Sequence, residues 1–123
     1  MANSGRPLKC DPKVNNLRIN NKYGEYDIAK KTLSEFGIDA TDGEARTALI
    51  TAVIANKPDF VYWLIDNGAN INHQDRIGCI ILHITAEFKL VELTKYLLEK
   101  GANPNLQNKH GNTPLWTAIF NAQ

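Results

Sequence analysis

The chain is poor in the residues on which stapled domains and many enzymes depend. It holds two cysteines, Cys10 and Cys79, too few and too far apart for a disulfide framework, and both are expected as reduced thiols. Two serines occur, Ser4 near the N-terminus and Ser34 toward the end of an expected helix. Neither has the strand-turn-helix setting that presents a nucleophile. No apolar run is long enough to span a bilayer, and Met1 to Pro7 has no apolar signal core behind its charge. A cytoplasmic location, or one reached by a non-classical secretion route, is therefore the default expectation, with no membrane partner. Charge of one sign is missing as well. The balance of 14 basic and 13 acidic residues leaves +1, which gives no support to a nucleic-acid-binding surface. Phosphate-cradling glycine loops are absent, since Gly78 and Gly111 stand alone and are explained as turn positions that need positive φ.

What remains is ordinary soluble composition, with 43% hydrophobic and 22% charged residues, on a chain of 123 residues, one domain's worth with a modest core. The organising feature is a repeat. The stretch from Asp75 to Asn105 opens with a turn, Asp75-Arg76-Ile77-Gly78, runs through the apolar segment Ile80 to Ala86, continues through Tyr96-Leu97-Leu98 and closes with Gly101-Ala102-Asn103-Pro104-Asn105. Shifted back by 33 residues, Leu82 falls on Leu49, Leu97-Leu98 on Leu64-Ile65, and Gly101-Ala102-Asn103 on Gly68-Ala69-Asn70. Shifted forward by 33, Gly78 falls on Gly111 and Leu82 on Leu115. The same residue types at a fixed period mark a repeat architecture, which outranks local secondary-structure preferences.

Taken in order, residues 1–10 read as a loose leader containing Gly5 and Pro7. Asp11-Pro12 has the form of a helix start, a capping carboxylate followed by proline at the first helical position. Val14, Leu17 and Ile19 supply a weak apolar face through Asn21, and Lys22-Tyr23-Gly24 breaks it. A second helix is expected from Glu25, with Tyr26, Ile28, Ala29 and Leu33 on one side and Gly37 past its end. Thr47 caps a helix carrying Leu49, Ile50, Ala52, Val53 and Ile54, and Pro58 opens another that presents Phe60, Val61, Trp63, Leu64 and Ile65 before Gly68. The unit is helix, short turn, helix, glycine stop and an extended turn. Two short helices cannot hide their apolar faces alone, and stacking successive units builds one continuous core.

These residues resemble the ankyrin repeat, whose unit runs Asp-x-x-Gly-x-Thr-Pro-Leu-His-x-Ala, then two helices, then Leu-Leu-x-x-Gly-Ala-Asp-x-Asn. One unit here reads Asp42…Thr47-Ala48-Leu49…Ala52…Leu64-Ile65…Gly68-Ala69-Asn70-Ile71-Asn72. The next reads Asp75…Gly78…Leu82-His83…Leu97-Leu98…Gly101-Ala102-Asn103-Pro104-Asn105, and a partial one Gly111-Asn112-Thr113-Pro114-Leu115…Ala118. An N-terminal unit matches only from Gly24 to Gly37 and reaches its neighbour through a turn two residues shorter. The resemblance implies an all-α solenoid of stacked helix-turn-helix units joined by short β-turn loops. It covers a single domain over residues 11–123, in units of about 11–41, 42–74, 75–107 and a partial 108–123. The motif threonine is Ile80 in the middle unit, so that helix start is expected to lose a side-chain cap. The family's histidine, which joins adjacent loops by hydrogen bonds, survives only as His83; Ile50 and Trp116 stand at its other positions. Because Leu115, Trp116, Ile119 and Phe120 do not make the polar outer face of a terminal cap, the chain reads as a fragment of a longer array, with self-association through that uncapped helix as a further possibility.

A catalytic or metal reading is weak. Cys79, His83 and Glu87 fall on one stripe at helical spacing, but they are far from a closed ligand set, and the resemblance puts Cys79 in the turn and makes His83 structural. No cofactor is expected. His73 and His110 are expected as solvated turn residues, and the recurring Asn70, Asn72, Asn103 and Asn105 as hydrogen-bonders of the turn backbone. Trp63 and Tyr96 share a unit position and are expected in the inter-unit core.

Function is then sought on the surface that the resemblance implies, a concave face of turn tips and inner helices that grips a partner protein. By matching position, the tips supply Glu44, Arg46, Arg76, Ile77, Cys79, Lys109, His110 and Asn112. The inner helices supply Ile54, Glu87, Phe88, Phe120 and Asn121, and Asn67 and Lys100 flank the glycine stops. Phe88 and Ile77 are large apolar groups where stacking does not obviously require them, and such groups make binding hot spots; the alternative for Phe88 is that it folds back on its neighbour helix. The mixture of Arg46, Arg76 and Lys109 with Glu44 and Glu87 implies no strong charge preference. The expectation is a non-enzymatic protein-interaction module. A stand-alone inhibitor or immunity-type protein and a targeting fragment of a multidomain protein are the alternatives.

Overall fold

The computed structural model describes residues 11–121; the leader expected over 1–10, with Cys10, lies outside them. Eight helices follow one another among the described residues, with no strand: α1 (Pro12–Asn15), α2 (Leu17–Lys22), α3 (Tyr26–Phe36), α4 (Ala48–Ile54), α5 (Pro58–Asp66), α6 (Ile81–Glu87), α7 (Val91–Glu99) and α8 (Pro114–Asn121). None is long and apolar enough to cross a membrane.

The local signals act where the sequence puts them. Asp11 accepts the Lys13 N–H at 2.9 Å ahead of Pro12, Thr47 Oγ1 accepts the Ile50 N–H at 3.4 Å to start α4, and Pro58 opens α5. Each helix pair turns in the same way. The Glu25, Lys57 and Leu90 N–H groups donate back to the carbonyls of Asn20, Ala52 and Thr85 at 2.8, 3.0 and 2.9 Å. Just before them the chain passes through positive φ at Gly24, Asn56 and Lys89. A first unit complete with both helices is thus present, although its first half does not match the motif.

The expected apolar face on that first helix needs correction. The chain breaks at Asn16 between α1 and α2, and Ile19 turns outward, 45% exposed, while Val14, Leu17, Asn20 and Asn21 are buried. The cause is a polar junction. Asn21, fully buried, donates through Nδ2 to Thr51 Oγ1 at 2.7 Å and so ties α2 to α4.

Helices α2, α4, α6 and α8 form one row, each packed on the next, while α3, α5 and α7 lie against their own first helix. Short helices are marginal alone, and here they share a single apolar core in which Leu49, Leu64, Leu82 and Leu97 are fully or nearly fully buried at equivalent positions of two units. Leu115, the counterpart of Leu49 and Leu82, stands 66% exposed. Trp63 and Tyr96 are half-buried; Trp63 packs against the core as expected, while Tyr96 stays at its edge. Trp63 stacks on Phe60 with Lys30 Nζ 4.8 Å above its ring, and Tyr96 meets Tyr62 edge-on at 4.8 Å, so both join neighbouring units at the rim.

Candidate partner-binding face

The loop tips are three copies of one construction. Asp42 Oδ1 accepts the N–H groups of Glu44 and Arg46 at 2.8 and 3.1 Å. Asp75 Oδ1 does the same for Ile77 and Cys79, both at 3.0 Å, and Asn108 Oδ1 for His110 and Asn112 at 2.9 and 3.1 Å. A neutral amide serves at the third tip because only one acceptor oxygen is needed there. The φ-positive corner of each loop is Ala45, Gly78 or Gly111. Adjacent tips are bonded main chain to main chain: the Arg76 N–H donates to Glu44 O at 3.0 Å and the Lys109 N–H to Ile77 O at 2.9 Å. The tips therefore form one continuous ledge.

Histidines add to this ledge. Buried His83 accepts the Ile80 N–H on Nδ1 at 3.1 Å, and its Nε2 lies 2.8 Å from Asn112 O. With Nδ1 accepting, Nε2 is the protonated nitrogen and donates to that carbonyl. Ile80 has no side-chain cap to offer, as expected, but His83 satisfies the Ile80 N–H, and full burial of the isoleucine, worth about 1.5–3 kcal/mol, offsets a cap worth about 1 kcal/mol. At the preceding junction, where Ile50 replaces the motif histidine, His73 Nε2 lies 2.8 Å from Ala45 O. His73 is thus half-buried and bonded, which corrects its reading as a solvated turn residue; His110 is exposed. On the opposite side, Asp39 and Asn72 accept the N–H groups of Asn70 and Asn103 in the following unit at 2.8 and 2.7 Å. Asn70 and Asn103 in turn accept from Asn72 and Asn105 at 3.0 and 2.9 Å, so the asparagines brace turn backbone as expected.

Of the residues singled out in the sequence, Glu44, Ile77, Glu87, Phe88, Lys109, His110 and Phe120 are exposed. Phe88 does not fold back: it is 48% exposed at the end of α6. Phe120 stacks on Trp116 at 5.0 Å, and the side chain of Asn121 lies outside the described ones. Arg76 and Asn112 are half-buried, and Asn112 uses its carbonyl on His83. Arg46 is the least free: Nε lies 3.6 Å from Asp75 Oδ2, an ion-pair distance longer than a hydrogen bond. Cys79 is a half-buried free thiol in the loop before α6, not on the helical stripe with His83 and Glu87. Burial pushes its pKa up, against a contact from Asn108 Nδ2 at 3.7 Å that favours the thiolate. Among the described residues no three His, Cys, Asp or Glu side chains converge to hold a metal ion.

The sequence reading missed the share of this face supplied by α2. Arg18, Ile19, Lys22 and Tyr23 line a groove of about 760 Å³ with Arg46, Thr51, Ile54 and Ala55. The signal that could have found them is the turn at Gly24, which corresponds to Asn56 at an offset one residue short of the period and would have placed Lys22 beside Ile54.

Paired short helices in a stacked row, with a hydrogen-bonded ledge of turns along one side, define a helical repeat array. The model of "Ankyrin repeats (3 copies)" matches residues 52–123. The chain is 50% identical over 58 residues to an ankyrin repeat protein of Rickettsia felis, covering 44% of this chain and 26% of that one. It is 39% identical over 82 residues to the mouse B-cell lymphoma 3 protein homolog, 66% of this chain and 18% of the relative. Over 75 residues it is 37% identical to human ankyrin repeat and SOCS box protein 6, 59% and 18% respectively. This protein belongs to the ankyrin repeat family, whose arrays are general protein-interaction modules and are generally non-enzymatic. The chain spans about a quarter or less of the length of these relatives.

Proposed function

We propose that this chain is a non-enzymatic interaction module that grips a partner protein through the concave face made by its loop ledge and first helices, in a cytoplasmic setting. The observation that carries the reading is the ledge itself: tips bonded to one another at 2.9–3.0 Å hold exposed Ile77 beside the polar Glu44 and Lys109, with Phe88 exposed at the end of the helix that follows. Groups fixed before binding lose little entropy on binding, and a rigid apolar anchor among polar contacts is what an interface needs at its centre.

The test is capture with the wild-type chain and with an Arg76→Ala, Phe88→Ala double variant of matched helicity. A stoichiometric partner held by the wild type is expected to be weakened at least about tenfold in the variant, since a buried aromatic anchor alone contributes about 2 kcal/mol or more. Equal retention of the same partner by both would show that the surface is wrongly chosen.

The exposed α8 face supports one further element of the reading, self-association. Leu115, Trp116, Ile119 and Phe120 are each 48–66% exposed, and a second copy laid on them would remove an apolar patch from water. Sedimentation equilibrium is expected to show a concentration-dependent dimer that Trp116→Lys abolishes; a monomer at all concentrations would remove this element.

A further inference from the structure

The groove between α2 and α4 has a chemistry that the loop ledge lacks. Its apolar lining is exposed: Ile19 is 45%, Tyr23 68% and Ile54 40% exposed, with Lys22 Nζ 5.6 Å over the Tyr23 ring. Its rim is basic, with Arg18, Lys22 and Arg46, and no acidic side chain lines it. Among the described residues neither Arg18 nor Lys22 is ion-paired, although the chain as a whole is nearly neutral. Arg46, held through Nε toward buried Asp75, stands near the N-terminal end of α4 as Arg18 does on α2. Lys22, Tyr23 and Ile54 stand toward the C-terminal ends of the same helices. Positive charge thus occurs at both ends of a short apolar trough.

We infer that this groove takes an acidic peptide segment of a partner protein, with one or two apolar side chains seated on Ile19, Tyr23 and Ile54 and carboxylates facing Arg18 and Lys22. The inference rests on the proposed interaction role and names the kind of partner. Size agrees: the six residues of α2 extend about 9 Å, the span of about three residues of extended peptide. The apolar lining favours a peptide over a nucleic acid, whose backbone would draw on more cations than the few present here. Opposite charge would speed encounter and select against basic segments, an effect that salt weakens.

The experiment is selection of a random peptide library displayed on phage against the full chain, followed by affinity measurement of the recovered peptides at low and high salt. Expected are peptides combining Asp or Glu with Leu, Phe or Ile. Their affinity should fall at least tenfold in an Arg18→Glu, Lys22→Glu variant and should fall with added salt. Both side chains are exposed, so the variant keeps its fold, checked by circular dichroism; Ile54→Ser is a second variant with the same expected loss. No enrichment, peptides without acidic excess, or binding indifferent to both variants would overturn the inference, as would a single-stranded oligonucleotide that competes for the groove. A partner lost on Arg76→Ala, Phe88→Ala but unaffected by Arg18→Glu, Lys22→Glu would sink this inference alone and leave the proposed function standing.

Discussion

Gly78 and Gly111 occupy the same corner of successive loops, with φ of 78° and 76°, and Ala45 occupies that corner in the loop before them at 56°. An alanine in the left-handed region costs about 1–2 kcal/mol relative to ordinary backbone, while replacing glycine returns about 0.4–1 kcal/mol by restricting the unfolded chain. Gly111→Ala should therefore cost about 1 kcal/mol, since an added Cβ meets nothing within 4 Å. Gly78→Ala should cost more. Its Cβ would lie 3.0 Å from Asn108 Cα and 3.1 Å from Lys109 N. These are backbone atoms of the next loop, and moving them strains the Lys109 N–H bond to Ile77 O. Overpacking of this kind adds about 1–2 kcal/mol, for a total near 2–3 kcal/mol. Ala45→Gly reverses the backbone term and should stabilise by up to about 1 kcal/mol. Urea unfolding followed by helical circular dichroism reads all three as shifts in midpoint at constant slope. Equal losses for Gly78→Ala and Gly111→Ala would refute the claim that the loops press on one another, and destabilisation by Ala45→Gly would refute the backbone argument.

Three further outcomes follow from the same ledge. His83→Ala removes an acceptor for the Ile80 N–H and a donor to Asn112 O inside a buried site, and should cost about 2–3 kcal/mol, with faster amide exchange at residues 80 and 108–112. Asp75→Asn keeps the turn, as Asn108 does naturally, but leaves Arg46 without its carboxylate; a loss of about 1 kcal/mol or less is expected in urea unfolding, against about 2–3 kcal/mol for Asp75→Ala. Cys79, measured on a Cys10→Ser background, should alkylate several-fold more slowly than a free cysteine at pH 8, because burial raises its pKa. The sign is that of an acid favoured in its neutral form by folding: the contribution is whole below the unfolded thiol's pKa and declines as pH rises through the folded value, so unfolding free energy should fall at alkaline pH and Cys79→Ala should reduce that slope. Alkylation at the rate of a free cysteine would contradict it.

The repeat, the all-helical class and the helix starts were legible because they depend on residues near in sequence. Leu49 with Leu82, Asp11-Pro12, Thr47 and Pro58 act through the local chain, and the shared glycine and asparagine positions follow from backbone needs that recur every unit. The tip residues could be named by position, but their freedom could not: the Arg46–Asp75 pair, the half-buried Cys79 and the His73 contact with Ala45 each depend on a residue from another loop.

The sequence by itself therefore determined the unit and its stacking, since two short amphipathic helices with a period of 33 residues have no other way to bury Leu49, Leu64, Leu82 and Leu97. Only the tertiary structure decided which polar and basic groups face outward together. It turned α2 so that Asn21 joins Thr51 inside and Ile19 lies outside with Arg18 and Lys22. A hydrogen bond between residues 30 positions apart sets that rotation, and along the chain only the turn at Gly24, one residue out of register with Asn56, points to it.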